Sequence, residues 1–285
     1  MPRPFLLIIV NVLAMTLGYG IFIEPQMVRV KTVTVRNNAF SNLFNNKKIL
    51  QISDLHLDEN NASITRKILA VIKEINPEII LLTGDYVQWF ADNRNYTLAH
   101  HFLKKLKDHP EVYAVLGDAD LSNSREYCAF CHRSETDPSP ASHHVKFLKN
   151  TGKLLKTEKG EFLIYGLFPE KEALAQAKKN LPDFAPNLPI IILSHTSEIY
   201  SSIPDSSNVL VVAGDSHGGQ VFLPNMLWPL LRLLPDPKHL YGLFTENKKN
   251  LYVSCGVGTS HLPFRLGMPP EIILFHFDRE VEQKI

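Results

Sequence analysis

The first hydrophobic segment of the chain is long enough to cross a membrane. Residues 4–23 include no charged side chain, and twenty residues of α-helix cover about 30 Å, the thickness of the hydrocarbon core of a bilayer. We predict a transmembrane anchor over residues 1–23. A cleaved signal peptide is the alternative, but its apolar run is usually shorter, about 7–15 residues, and no Ala-x-Ala-like cleavage site follows.

The cations that flank this segment predict its orientation. Arg3 precedes the segment, and the cations that follow it closely are Arg29, Lys31, Arg36, Lys47 and Lys48. Lys and Arg concentrate on the cytoplasmic side of membrane proteins. We therefore expect a single-pass protein of the inner (cytoplasmic) membrane, with its C-terminal part in the cytoplasm.

Beyond this segment the pattern alternates between strands and helices. Residues 27–35 alternate apolar and polar positions, as in a half-exposed strand, and the Asn-rich residues 37–46 read as a loop. Helical patterns cover residues near 62–75 and 98–107. Short apolar runs typical of buried strands cover residues 48–53, 78–83, 112–116, 190–193 and 209–213. This alternation predicts a layered α/β domain.

Each apolar run ends in a polar cluster rich in Asp and His. The clusters are residues 53–56, 83–85, 117–120, 194–195 and 214–220. Ligands of open α/β sheets bind at the carboxyl ends of the strands. A single Asp at such an end is commonly a helix cap or a turn residue, whereas five ends that hold Asp and His together indicate a metal centre.

Composition excludes several other classes of protein. With 45% apolar and 21% charged residues the chain is neither disordered nor fibrous. Its 30 Lys and Arg nearly balance 29 Asp and Glu, and a net charge of +1 gives no bulk electrostatic attraction to nucleic acid. Three cysteines are too few to hold together a secreted disulfide scaffold of this length.

The order and spacing of the clusters resemble the calcineurin-like metallophosphoesterases, whose motifs run D-x-H, G-D, G-N-H-D or E, a lone H, and G-H-x-H. Residues 214–220 (GDSHGGQ) and 252–277 (YVSCGVGTSHLPFRLGMPPEIILFHF) resemble the membrane-anchored bacterial branch of that family. This branch includes phosphodiesterases and UDP-diacylglucosamine pyrophosphohydrolases of lipid A synthesis. The resemblance implies a hydrolase with a four-layer α/β/β/α domain over residues 24–285, in which two sheets pack face to face.

The resemblance also implies two divalent metal ions. By matched position, the first would be held by Asp54, His56 and His217, the second by Asp118, His195 and Asp215, and Asp85 would bridge both. Such a pair makes a water nucleophile more acidic and absorbs charge on the phosphoryl oxygens. Four carboxylates and three imidazoles are a harder, more anionic set than the family pattern, so we expect Mn²⁺ or Mg²⁺, although Fe or Zn also accept such ligands.

Three positions depart from the family pattern. Asp118 replaces its Asn, Asp215 replaces the first His of G-H-x-H, and Ala119 replaces the His that assists the leaving group. A missing general acid costs about 10²–10⁴-fold unless the leaving group needs no protonation.

A phosphate monoester expelled from a diphosphate is such a leaving group. The departure at Ala119 therefore favours hydrolysis of a lipid A precursor, UDP-diacylglucosamine, with release of UMP, and we expect a phosphorylated membrane lipid and the bilayer as partners. A phosphodiesterase of other substrates is one alternative. A catalytically degenerate protein that only binds a phospholigand is the other.

Further residues near these motifs are candidates for the site. Asp120, His261 and Arg265 are candidate catalytic residues, and either of the last two is placed to replace the missing His. Arg125 is a candidate phosphate contact.

Two other segments carry open interpretations. Residues 128–132 (CAFCH) fit covalent haem attachment, a zinc site completed by His132, His143 or His144, or two ordinary thiols on a surface loop. The apolar residues 221–244 either pack against the sheet or form a lip that enters the bilayer or receives acyl chains, with Trp228, Arg232 and Lys238 at the interface.

Overall fold

Two six-stranded sheets form the centre of the structure. A computed structural model describes residues 3–59, 61, 63–89, 92–109, 111–121, 128, 130–131, 143–169, 188–223, 238–260 and 262–280. The strands within these residues are β1 (Arg29–Arg36), β2 (Ile49–Ile52), β3 (Ile79–Leu82), β4 (Val112–Ala114), β5 (Lys146–Phe147), β6 (Thr151–Thr157), β7 (Gly160–Gly166), β8 (Ile190–Leu193), β9 (Val209–Ala213), β10 (Gly242–Glu246), β11 (Lys249–Val253) and β12 (Glu271–Asp278).

Most neighbouring strands are parallel, which places their carboxyl ends together. The first sheet has the order β1-β12-β2-β3-β4-β5 and is parallel except between β12 and β2. The second has the order β10-β11-β9-β8-β7-β6 and is antiparallel only at the outer pairs β10·β11 and β6·β7. Ile52 pairs with Leu82 and Leu193 with Val212, so the chain leaves neighbouring strands at nearly the same level.

Four α-helices lie within the described residues. They are α1 (Arg3–Gly18), α2 (Asn38–Phe44), α3 (Ser63–Ile75) and α4 (Asn93–Lys105). The loop predicted over residues 37–46 is wrong, because most of it forms α2. The Asn37 side chain accepts hydrogen bonds from the backbone N–H groups of Ala39 and Phe40 and so begins the helix, while Phe40 and Phe44 pack into the core.

The apolar residues form three layers of packing. The inner faces of both sheets pack together, as Leu81 and Tyr113 of the first sheet share a cluster with Ile191 and Val212 of the second. The outer face of the first sheet packs against α3 and α4. The outer face of the second packs against the 3-10 turn Glu198–Ser202, which is the part of that outer layer that the structure describes. The predicted fold class, two facing sheets with helices outside and an apolar N-terminal helix, is confirmed.

The N-terminal apolar segment continues into the body of the protein. The segment Pro4–Gln26 is long and apolar enough to cross a membrane. After α1 it forms a π-helical turn, Tyr19–Ile23, in which Gly20 is buried. The ring of Phe264 lies where a side chain at Gly20 would be, and the backbone N–H of Arg265 donates to the Gly20 carbonyl at 2.9 Å. These contacts attach the end of the segment to the loop that follows β11.

Candidate metal centre

The backbone turns sharply after β2, β3 and β9, three of the strands that carry predicted ligands. Asp54, His56, Asp85, Asp215 and His217 all have positive φ, between 43° and 69°. Asp and His tolerate this left-handed conformation better than most residues, but each such residue costs about 1–3 kcal/mol and such strain gathers at functional sites. The sequence pattern gave no sign of these turns.

Two imidazoles and a carboxylate form the first group of possible ligands. His56 Nε2 and His217 Nε2 lie 2.9 Å apart, and His217 Nε2 lies 4.0 Å from Asp54 Oδ1. The backbone N–H of Asp215 donates to the same Asp54 oxygen at 3.0 Å and fixes the carboxylate. These three side chains are buried and able to hold a metal ion.

His195 is the centre of the second group. Its Nε2 lies 3.4 Å from Asp85 Oδ1, 3.2 Å from Asp118 Oδ1 and 3.7 Å from Asp215 Oδ1. Asp85 also joins the two groups, because its other oxygen lies 3.3 Å from His56 Nε2. The side chain of Asp118 is 50% exposed whereas that of His195 is 1% exposed, so the site opens to solvent beside Asp118.

Unpartnered buried atoms show that these residues fit cations. Asp54 Oδ2 and His195 Nε2 are buried without a hydrogen-bond partner among the described residues, and buried polar atoms are otherwise nearly always paired. His195 Nδ1 donates to the Thr83 carbonyl at 2.9 Å, which leaves the lone pair on Nε2 directed at the carboxylates. Two neutral ring nitrogens 2.9 Å apart, those of His56 and His217, likewise suit a shared cation.

Glycines make room for the carboxylates. A Cβ on Gly117 would lie 2.0 Å from Asp85 Oδ1, and a Cβ on Gly214 would lie 2.3 Å from Asp54 Oδ2. Any side chain at either position would displace a carboxylate. The glycine that accompanies each motif is therefore a steric requirement of the site.

Burial and mutual charge alter the pKa values throughout the site. Burial raises the pKa of Asp54 to about 6 and that of Asp215 to about 7. Burial also lowers the pKa values of His56 and His217. At His195 burial acts in the same direction, but the nearby carboxylates, Asp85 first, outweigh it and raise that pKa well above its usual value.

Asp120 supports the site from behind rather than facing it. Its carboxylate accepts hydrogen bonds from the backbone N–H groups of Asp85, Tyr86 and Gly117 at 2.8–3.0 Å, and the residue is buried. The predicted catalytic role of Asp120 is therefore replaced by a positioning role. Burial and the charge of Asp85 raise its pKa to about 8.

Arg265 is also a positioning residue and not the predicted catalytic one. It is fully buried, and its guanidinium donates to the carbonyls of Cys255, Gly256, Gly258 and Met268. Its Nη2 lies 3.4 Å from His217 Nδ1. Because these carbonyls occupy its donors, the side chain braces the loop after β11 and is not free to reach a leaving group.

The methyl side chain of Ala119 cannot donate a proton beside the metal ligands. The residue is buried, and its backbone N–H lies 3.0 Å from both Asp85 Oδ1 and Asp118 Oδ1. Two other predicted residues, His261 and Arg125, lie outside the described residues, as do Trp228 and Arg232 of the predicted lip. Phe222, in the described part of that lip, is 67% exposed.

The cysteine pair differs from all three interpretations of its sequence. Cys128 and Cys131 form a disulfide, and both residues are buried. Haem thioethers and zinc thiolates each require unpaired sulfurs, and ordinary surface thiols are neither paired nor buried. Disulfides are rare in the cytoplasm, so this bond opposes the cytoplasmic orientation that the flanking cations predict.

Residues 47–219 match the calcineurin-like phosphoesterases. The chain belongs to this family. It is therefore a hydrolase of the metallophosphoesterase class, and the divalent metal ions of that class agree with the possible ligands described above.

Relatives of this phosphoesterase carry different activities in their names. The chain is similar to the UDP-2,3-diacylglucosamine pyrophosphatase LpxG of Chlamydia trachomatis, with 29% identity over 88% of this chain and 90% of the relative. It is similar to the phosphodiesterase YaeI of Escherichia coli, with 26% identity over 90% and 91%. It also resembles the uncharacterized metallophosphoesterase YkuE of Bacillus subtilis, with 24% identity over 90% and 88%.

Metal binding is expected to tighten as pH rises. Below pH values near their raised pKa, Asp54 and Asp215 hold protons that a divalent cation must displace, so the affinity for Mn²⁺ should increase by about tenfold per pH unit for each proton displaced. Calorimetric titration in buffers of different ionisation enthalpy measures both the Mn²⁺ affinity and the number of protons released. An affinity that does not change between about pH 5 and pH 8 would contradict this electrostatic account.

Replacement of Gly117 by Ala is expected to damage the site without unfolding the protein. The added methyl would displace the Asp85 carboxylate, and we expect Mn²⁺ affinity to fall by about 10–100-fold, the usual effect of disturbing the surroundings of a ligand. Gly18→Ala is the matched control, since a Cβ there meets no atom within 4 Å. Equal metal affinity in the two variants would refute the steric role of Gly117.

Proposed function

We propose that this phosphoesterase hydrolyses the diphosphate of UDP-diacylglucosamine at a membrane surface and releases UMP. The observation that carries the proposal is Ala119. It occupies the place of the family's proton-donating His, and only its backbone N–H lies near the carboxylates of Asp85 and Asp118. The substrate should therefore be one whose leaving group needs no proton from the protein.

Diphosphates meet this requirement better than esters of simple alcohols. A phosphate monoester has a second pKa of about 6 and leaves as a stable anion at neutral pH. An alkoxide leaving group needs protonation, and its absence costs about 10²–10⁴-fold. Neither Asp120 nor Arg265 compensates, because backbone groups engage both side chains.

The proposed ligands divide between two divalent cations, Mn²⁺ or Mg²⁺. Asp54, His56 and His217 would hold one, Asp118, His195 and Asp215 would hold the other, and Asp85 would be shared between them. When bound, the cations acidify a water nucleophile and neutralise charge on the phosphoryl oxygens.

Other residues keep the ligands in place. The carbonyl of Thr83 orients His195, the backbone N–H of Ala119 orients Asp85, and the carboxylate of Asp120 fixes the backbone of the turn at Asp85. The partly exposed side chains of Asp118 and Asp215 mark the side from which a diphosphate approaches. Because the ligands are held before substrate binds, little reorganisation is needed during the reaction.

A membrane location suits a lipid substrate. The proposal assigns residues 1–23 to a transmembrane anchor and residues 24–285 to the phosphoesterase domain. The apolar side chains of α1 from Phe5 to Leu17 are exposed. Phe222 and Leu262 are also exposed, and they lie close to Arg265 and Leu266, in the loop that contacts Gly20. The similarity to LpxG supports an acylated UDP-sugar as substrate.

A phosphodiesterase is the second candidate function. The similarity to YaeI covers as much of the chain as the similarity to LpxG does. Activated phosphodiesters, whose leaving groups need no protonation, would also be compatible with Ala119. The two candidates differ in whether the acylated diphosphate or the phosphodiester is the better substrate.

Release of UMP from UDP-diacylglucosamine tests the proposal directly. Full-length protein with Mn²⁺ or Mg²⁺ should release UMP, and Asp85→Asn should reduce the rate by at least about 10²-fold, because a metal contributes several kcal/mol to transition-state stabilisation. Asp108→Asn, at an exposed position, is the matched control. Metal-dependent hydrolysis of bis(p-nitrophenyl) phosphate without UMP release would favour the phosphodiesterase instead, and metal binding without either activity would favour a silent phospholigand-binding protein.

The side of the membrane on which the domain lies needs its own test. The cations that flank the N-terminal segment predict a cytoplasmic domain, whereas the Cys128–Cys131 disulfide indicates the opposite side. UDP-linked substrates are cytoplasmic, so the proposal requires a cytoplasmic domain. A fluorescent-protein fusion after Ile285 should therefore fluoresce in the inner membrane. A fusion that is dark while an alkaline phosphatase fusion is active would place the domain outside the cytoplasm and contradict the proposed substrate.

A further inference from the structure

A cavity of about 480 Å³ lies between the N-terminal segment and the loops beside the metal centre. Ile21, Phe22 and Pro25 form one side of it, within the segment that is long enough to cross a membrane. Val257 and Pro263, in the loop after β11, lie on another side. Its volume is in the range of sites that bind small molecules.

One end of the cavity is continuous with the surface of the N-terminal segment. Phe22 is 75% exposed, and Ile21 and Ile23 are also exposed, as are the apolar side chains of α1 that precede them. The hydrogen bond from Arg265 N–H to the Gly20 carbonyl holds this wall against the domain. The cavity therefore opens at the level where α1 would leave a bilayer.

The other end of the cavity is built from the loops that position the ligands. Asp58 follows His56 by two residues, Gln88 follows Asp85 by three, and both line the cavity. Gln88 Nε2 donates to the Thr259 carbonyl at 2.8 Å and links two of the walls. The backbone N–H of Gly258 donates to the Asp54 carbonyl at 2.6 Å, so the cavity and the metal centre share these loops.

The chemistry of the lining excludes the phosphates from the cavity. Among the described residues that line it, none is Lys or Arg, and Asp58 carries the only formal charge. Its other polar side chains, those of Gln26, Asn61, Gln88, Thr259 and Ser260, are neutral, and Ile21, Phe22, Ile64, Val257 and the two prolines are apolar. Such a mixed and mostly uncharged lining fits the neutral, acylated part of an amphipathic molecule better than its charged part.

We propose that this cavity binds the acyl-chain end of a lipid substrate whose phosphate lies at the metal centre. The neutral ester or amide groups would lie against Gln88 and Ser260, and the first methylenes of the chain against Ile21 and Phe22. The acyl chain of the substrate would then continue along the N-terminal segment into the bilayer. This inference rests on the proposed function in that it takes the substrate to be a membrane lipid, and it adds where the protein recognises the chain.

Alkyl phosphates of increasing length test the inference without requiring turnover. Full-length protein is reconstituted in nanodiscs with Mn²⁺, and dissociation constants for butyl, hexyl and octyl phosphate are measured by calorimetry, with empty nanodiscs subtracted. Burial of a methylene contributes up to about fourfold in affinity, so octyl phosphate should bind at least about tenfold more tightly than butyl phosphate. Equal affinities along the series would overturn the proposal.

Matched substitutions assign the effect to this cavity. Thr259→Trp should fill it and abolish the preference for longer chains, while butyl phosphate still binds at the metal centre. Thr157→Trp is the control, because Thr157 is also half-buried and lines a cavity of about 590 Å³ at the amino-terminal ends of β2 and β3. Retention of the chain-length preference in Thr259→Trp would refute the assignment.

A milder variant guards against misfolding of Thr259→Trp. Phe22→Ser changes an exposed side chain and should reduce the octyl preference by about threefold or more; an unchanged preference would count against the proposal. The proposed reaction can fail separately: chain-length preference without UMP release removes the substrate assignment alone, and UMP release without chain-length preference removes the cavity assignment alone.

Discussion

The burial of several carboxylates side by side is the constraint on which the rest of this structure depends. Asp54 and Asp85 leave neighbouring strands and are almost completely buried, and Asp118 and Asp215 approach the same imidazole, that of His195. Carboxylates this close cannot all remain ionised in a buried pocket without positive charge among them. The raised pKa values of Asp54, Asp215 and His195 follow from this burial and crowding, which suit cations.

The architecture serves this convergence. Parallel strands at the centre of both sheets direct their carboxyl ends to one edge, and the two sheets face each other, so ligands from the first sheet meet ligands from the second. Residues in left-handed conformation then reverse the chain immediately after the strands. The conformational free energy that these turns cost is offset by the packing of three apolar clusters around strands that are buried on both faces.

Sequence patterns predicted most of this because the relevant signals are local. Continuous apolar runs located the buried strands, and the Asp and His residues that follow them located the site. Helix α2 was missed because its cap, Asn37, and its core residues, Phe40 and Phe44, lie among asparagines that usually indicate a loop. The burial of Arg265 could not be predicted, since its partners are backbone carbonyls brought together only by the fold.

The family and the particular reaction depend on different residues. Membership in the phosphoesterase family follows from metal-ligand motifs that are common to enzymes with many different substrates. Discrimination between a diphosphate and a phosphodiester depends instead on the residues that surround the leaving group. Under the proposed function, that place in this chain holds the buried methyl group of Ala119. The absence of a proton-donating side chain would then influence specificity, as the ligands influence metal binding.

The attachment of Gly20 to the segment containing Phe264 and Arg265 has a kinetic consequence. Arg265 also braces the loop that contacts Asp54, so a short series of hydrogen bonds links the N-terminal segment to the metal centre. Under the proposed function, this link would hold the centre at a set height above the lipid headgroups. The rate would then follow the mole fraction of substrate within the membrane rather than its concentration in bulk solution, and dilution of that substrate with inert lipid would slow the reaction.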